Sequence, residues 1–116
     1  MPGKINNELG TIYISEDLLA NIAGLAAMEC YGLVGMASKR GKDGFVELLK
    51  RENLSKGVKV VENEGNLIID LFVIIEFGIK ISVVAENIID KVKYTVEYLT
   101  GLKVQQININ VESVRV

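Results

Sequence analysis

Apolar residues recur every three to four positions over two stretches of this chain and every second position over several others, and these two periods divide it into helices and strands. Thr11-Ile12-Tyr13-Ile14 reads as a short strand. Ser15 follows in the position of a helix N-cap, with Glu16 and Asp17 placed to complement the N-terminal dipole, and the helix is expected to run to about Cys30. Leu18, Leu19, Ile22, Leu25 and Ala26 fall at helical spacing, while Ala20, Ala23, Gly24 and Ala27 form a smooth flank that another backbone can approach closely. Gly24 costs about 1 kcal/mol of helix propensity relative to Ala, which tight packing would explain. A second helix is predicted from about Ser82 to Thr100, with Val84, Ala85, Ile88, Ile89, Val92, Val96 and Leu99 on its buried side and Gly101 as its stop.

Between the helices, Val58 to Glu62 and Leu67 to Phe77 alternate as strands around Asn63-Glu64-Gly65-Asn66, a hairpin loop with a positive φ expected at Gly65. Ile107, Ile109 and Val111 alternate with Asn108, Asn110 and Glu112 in a last strand. Its apolar phase slips between Val104 and Ile107 and again between Val111 and Val114; each slip requires a bulge or twist, which predicts a long, bent edge.

The middle of the chain is less regular. Cys30-Tyr31-Gly32-Leu33-Val34-Gly35-Met36-Ala37-Ser38-Lys39 is apolar and glycine-punctuated, and it runs into the basic loop Lys39-Arg40-Gly41-Lys42. Phe45 to Arg51 reads as a helix of two turns at most. The predicted order is β-α-(short α)-β-β-α-β. This is a single α+β domain spanning 1–116, a two-layer sandwich with a mainly antiparallel sheet, both helices packed on one face and residues 1–9 flexible. Leu67, Ile69, Leu71, Val73, Ile75 and Phe77 give the longest strand one wholly apolar face, but Ile68, Phe72 and Ile74 share the other with Asp70 and Glu76. Two helices shield one side only. Covering the leftover apolar residues would stabilise by about 1.5 to 3 kcal/mol each, so either a partner or a second copy covers them, or Phe45 and Leu48 fold over them.

Composition narrows the function. The chain has 116 residues, 49% of them hydrophobic, 24% charged and none histidine. The usual acid–base side chain is therefore missing, and one cysteine, Cys30, reads as a small core residue rather than a reactive thiol. Zinc sites draw on Cys and His clusters that this sequence lacks, and it implies no metal and no cofactor. The apolar run Leu67 to Ile75 is interrupted by Asp70 and falls far short of the roughly 20 residues a membrane helix needs, so direct membrane insertion is not expected. No apolar signal segment follows Met1-Pro2-Gly3-Lys4, so the chain is expected to stay in the cytoplasm. Net charge is −2, yet residues 39–59 carry seven Lys and Arg against Asp43, Glu47 and Glu52.

Several candidate chemistries can be weighed on these residues. A phosphate loop fails on spacing, with five residues between Gly35 and Gly41-Lys42, and Asp43 stands where magnesium would require Ser or Thr. Gly41-Lys42-Asp43-Gly44 is similar to the GXXG loop of KH domains, which clamps a nucleic-acid backbone between two helices. The anionic Asp43, the negative net charge and the lack of an aromatic row count against RNA or single-stranded DNA. Glu86 and Asp90 lie four apart on one helix face that also carries Lys93 and Glu97, the pattern of a salt-bridged surface. Asp70 invites a partner such as Lys59, or marks a polar spot in an interface. Tyr94 and Tyr98 are neighbours on the last helix and, with Tyr31, offer a contact patch.

Five segments then carry a resemblance. Thr11-Ile12-Tyr13-Ile14-Ser15, Tyr31-Gly32-Leu33-Val34-Gly35-Met36, Leu54-Ser55-Lys56-Gly57-Val58, Phe77-Gly78-Ile79-Lys80-Ile81 and Thr100-Gly101-Leu102-Lys103-Val104 follow in the order of the alkaline shock protein family of bacterial envelope stress response proteins. The stretch from Cys30 to Ser38 with Lys42-Asp43-Gly44 resembles the YloU-like branch of Gram-positive bacteria. The resemblance implies a non-enzymatic cytoplasmic protein, peripheral to the inner face of the membrane through a partner, that self-associates or docks on a membrane-anchored or enzyme partner and supports envelope homeostasis. Expected contacts are Tyr31 to Lys42, with Gly32 and Gly35 permitting a bend, Leu33, Val34 and Met36 supplying apolar area and Lys39, Arg40 and Lys42 steering an acidic partner; the alternative is that Leu33, Val34 and Met36 close the core. A regulatory subunit of a neighbouring enzyme is the other open reading.

Overall fold

A computed structural model describes residues 3–39, 45–48 and 55–116, with backbone alone at 38, 39 and 45–48. Strands β1 (Gly3–Asn7) and β2 (Gly10–Ile14) form a ribbon of their own, followed by α1 (Glu16–Met28), β3 (Leu33–Lys39), β4 (Phe45–Leu48), β5 (Val58–Asn63), β6 (Asn66–Glu76), α2 (Ile81–Thr100) and β7 (Val104–Arg115). The α+β class is as predicted. Where a helix of two turns is expected, Phe45–Leu48 is instead a strand, and the glycine-punctuated stretch before it is a strand as well. The two pair antiparallel, Met36 opposite Leu48 and Lys39 opposite Phe45.

In the main sheet β6 is central. Strand β7 runs parallel to it over Leu67 to Glu76, occupying one edge along its whole length. The other edge is shared end to end, with β5 opposite Leu67 to Leu71 and β3 opposite Val73 to Ile75, all antiparallel. Gly57 sits at that junction, where an added Cβ would come within 2.9 Å of the Ala37 carbonyl oxygen. Both predicted slips of β7 are present. Its register against β6 shifts between Leu67 and Ile68 and between Val73 and Ile74, so that Gln105 and Glu112 are the extra residues.

The caps follow the local chemistry. Ser15 Oγ accepts from the Leu18 N–H at 3.1 Å and holds the start of α1, and α2 ends on Gly101 in the left-handed region at φ 76°. In the turn before it, Thr100 Oγ1 donates to the Val96 carbonyl at 2.6 Å, and Glu97 Oε2 accepts from the Val104 N–H at 2.9 Å, tying the last turn of α2 to the first residue of β7. The β5–β6 loop turns through Glu64 and Gly65, both with positive φ.

One core lies between the sheet and the two helices. Leu67, Ile69, Leu71, Val73 and Ile75 of β6 meet Leu19, Ala23 and Ala27 of α1 and Val84, Ile88, Val92 and Val96 of α2. In α1 the smooth flank is the one that packs: Ala20, Ala23, Gly24 and Ala27 are buried, and of the larger stripe only Leu19 and Ala26 are buried with them, whereas Leu18 and Leu25 are exposed and Ile22 is half-buried. Small side chains let the helix axis come close to its neighbours, so it settles on that face rather than on its larger residues. In α2 the predicted stripe holds except at Leu99, which is exposed at the helix end while Thr100 turns inward.

Candidate interaction surfaces

The segment from Tyr31 to Lys39 divides between core and surface. Gly32 adopts φ 90°, and an added Cβ there would lie 2.7 Å from Val84 Cγ2, so this glycine makes the turn from α1 into β3 and lets α2 close over it. Met36 is fully buried, Gly35 is buried opposite Ile74, Leu33 and Val34 are half-buried, and among the described side chains of the segment Tyr31 alone stands out in solvent. Met36 therefore closes the core and is removed from the expected contact surface, because its side chain lies among the residues that β6 and the helices bury. The Lys39 side chain, Arg40, Lys42 and the Gly41 to Gly44 loop lie outside the described residues. That loop connects two strands, β3 and β4, not the two helices that a KH clamp requires.

On the side of β6 away from the helices, Ile74 is buried while Ile68 and Phe72 are half-buried, so this face is less bare than the pattern predicts. The side chains of Phe45 and Leu48, one of the two alternative covers for it, lie outside the described residues. Asp70 is opposite Lys59 in register, yet its bond is to β7: Asn108 Nδ2 donates to Asp70 Oδ1 at 2.7 Å. Gln106 donates to Asn108 Oδ1 at 2.8 Å and Asn110 to the Leu71 carbonyl at 3.3 Å, a row of amides along the last strand.

Exposed apolar area gathers elsewhere, in two places, of which the sequence singles out only the Tyr94 and Tyr98 pair. The first is the β1–β2 ribbon. Only its root is buried, where Gly3 and Ile14 meet Leu102. Its tip, closed by Asn7 Oδ1 accepting from the N–H groups of Leu9 and Gly10, leaves Leu9 99% exposed, Ile12 51% and Tyr13 60%. A signal for it exists in the alternation of Lys4-Ile5-Asn6 and Thr11-Ile12-Tyr13 about Asn7 and Gly10. The second is the outer surface of the helices. Tyr94 and Tyr98 stack with ring centroids 5.7 Å apart and 10° between planes, both exposed, and Leu18, Leu25, Val83 and Leu99 are exposed on the same two helices.

At the other end of the helix pair, Lys91 Nζ lies 3.2 Å from Glu29 Oε1 and joins α2 to α1. Cys30 Sγ lies 3.8 Å from the carbonyl oxygens of both Ala26 and Asn87, which share its single S–H donor. Burial pushes its thiol above the ordinary range; nearby Lys91 opposes this and Glu29 reinforces it. The thiol is thus held protonated near neutrality, as a structural group. Among the described residues no group of three or more His, Cys, Asp or Glu is gathered to hold a metal, and no helix is long and apolar enough to cross a membrane.

Compared with known proteins, residues 4–116 match the model of the alkaline shock protein 23 family, described as having a cell envelope-related function. The chain is 47% identical over 114 residues to the uncharacterized protein YloU of Bacillus subtilis (strain 168), covering 97% of this chain and 95% of that protein. It is 39% identical to the uncharacterized protein Spy1614 of Streptococcus pyogenes serotype M6, over 100% and 97% of the two chains. With the uncharacterized protein YqhY of Bacillus subtilis it shares 31% identity, over 95% and 81%. No solved structure matches.

Proposed function

We propose, from the premise that this chain belongs to the alkaline shock protein 23 family of cell envelope-related function, that it is a non-enzymatic cytoplasmic assembly protein, acting through self-association and through docking on a membrane-anchored or enzyme partner. The observation that carries this reading is the β1–β2 ribbon. A free two-stranded ribbon is marginal in water, yet this one stands apart from the main sheet and holds Leu9, Ile12 and Tyr13 in solvent. Covering the fully exposed Leu9 would contribute about 1.5 to 3 kcal/mol, and the partly exposed Ile12 and Tyr13 a fraction of that, which favours contact with another surface. The exposed Tyr94–Tyr98 stack adds aromatic area of the kind interfaces use, apolar faces with hydrogen-bonding tips. The chemistry of such a protein is the exclusion of water from a matched surface, with no bond made or broken.

Sedimentation velocity of the purified chain over rising concentration tests the self-association. The expected result is a species heavier than the 12.7 kDa chain that grows with concentration. A single species of monomer mass throughout would overturn it.

A further inference from the structure

The geometry points to the outer edge of β7 as the site where a second copy of this chain binds, extending the sheet antiparallel across a two-fold axis near Asn108 and Ile109. This rests on the self-association proposed above and assigns it a place.

Among the described residues β7 pairs only with β6, so from Gln106 to Val111 its far edge presents backbone N–H and C=O groups to which no other strand is paired. Soluble proteins guard such edges with charge, proline or bulges. The outer edge of β5 carries Lys59 and Glu62, and the short β4 carries Glu47. Strand β7 has no charged residue and no proline from Val104 to Val111. Its two bulges, at Gln105 and Glu112, bracket the regular stretch from Gln106 to Val111 without interrupting it.

That stretch is complementary to itself. Gln106-Ile107-Asn108-Ile109-Asn110-Val111 alternates amide and aliphatic residues, and antiparallel pairing about a perpendicular two-fold keeps each face of the sheet continuous. The two registers centred on this stretch that satisfy this condition set Asn108 opposite Asn108 or Asn110, and Ile109 opposite Ile107 or Ile109. Apolar then meets apolar on the helix side and amide meets amide on the other, with no like charges opposed within the stretch. Burial also fades along the helix side of β7 in the way a missing neighbour would cause. Val104 and Ile107 are buried, Ile109 and Val111 half-buried, and Val114 exposed. A second copy on this edge brings its own helix layer up beside the partly covered residues.

The test is sedimentation equilibrium of the full chain and of the double variant Asn108→Lys/Asn110→Lys. In either register at least one introduced lysine faces a lysine of the other copy, while Asp70 beside position 108 receives the new charge within the fold. The expected result is self-association weakened by at least about tenfold, with an unchanged circular dichroism spectrum. A wild-type dimer that the double variant leaves intact would overturn the β7 assignment and leave self-association standing. A wild-type chain that stays monomeric would overturn both. If the double variant fails to fold, hydrogen exchange of the wild-type chain decides between the outcomes: protection of the β7 amides that rises with concentration supports the assignment, and protection that does not change overturns it.

Discussion

Strands β6 and β7 lie side by side over ten residue pairs, and they differ in what is left unsatisfied. Strand β6 has neighbours on both edges and one face sealed under two helices, with Leu67, Ile69, Leu71, Val73 and Ile75 in the core. Strand β7 has one edge paired, and its aliphatic residues emerge toward solvent as it runs to its C-terminal end. The difference separates two duties. Strand β6 supplies stability that the single chain keeps for itself, whereas β7, from Gln106 to Val111, has an edge that no strand among the described residues pairs.

Truncation tests this contrast most strongly. Leu71→Ala removes a fully buried side chain from β6 and is expected to cost about 2 to 5 kcal/mol in urea unfolding, while Ile109→Ala, half-buried on β7, should cost no more than about half as much. Equal losses would erase the distinction. Next in size is Gly32→Ala, which places a side chain at φ 90° against Val84 and should lower stability by roughly 1 to 3 kcal/mol, read from the thermal midpoint. Asn108→Ala takes from Asp70 its amide partner across β6 and β7; about 1 kcal/mol is expected, and a neutral result would mean that the amide row contributes nothing within one chain. Ser15→Ala removes the cap of α1 and should also cost about 1 kcal/mol, leaving the β6–β7 pair untouched by hydrogen exchange.

The smallest effect concerns pH. Because burial raises the Cys30 thiol in the folded chain, the folded state holds its proton more tightly than the unfolded state does. The contribution is full below the ordinary thiol range and is lost as pH rises through the higher folded value. Cys30→Ala should therefore flatten the alkaline decline in urea midpoint relative to the native chain, with little change in slope near neutrality.

Much of the frame was legible in the sequence because two periods were cleanly expressed. The 20 residues of α2, the β5–β6 hairpin and both slips of β7 follow from apolar spacing and from Gly65 and Gly101. The β3–β4 pair was not legible. Phe45–Leu48 is four residues long, too short for a helical and an extended pattern to differ, and β3 shows no alternation because Gly35, Met36 and Ala37 are buried in succession. The orientation of α1 was hidden for another reason. Spacing identifies a helix but does not say whether bulk or close approach decides its packing, and here close approach turned Leu18 and Leu25 outward. At the candidate surfaces, Tyr31 stands in solvent, while Met36 belongs to the core, the alternative that the sequence left open for it. Of the ribbon, β2 was legible in Thr11 to Ile14, whereas β1 was hidden because Gly3, Asn6 and Asn7 dilute its apolar signal below that of an ordinary strand.

The most direct measurement is hydrogen–deuterium exchange of the native chain at low and high protein concentration, followed segment by segment. The account predicts that amides from Val104 to Val111 slow markedly as concentration rises, while those of the hairpin from Val58 to Leu71 keep their rates. Exchange in Val104 to Val111 that is fast and independent of concentration, or concentration-dependent protection confined to other segments, would contradict it.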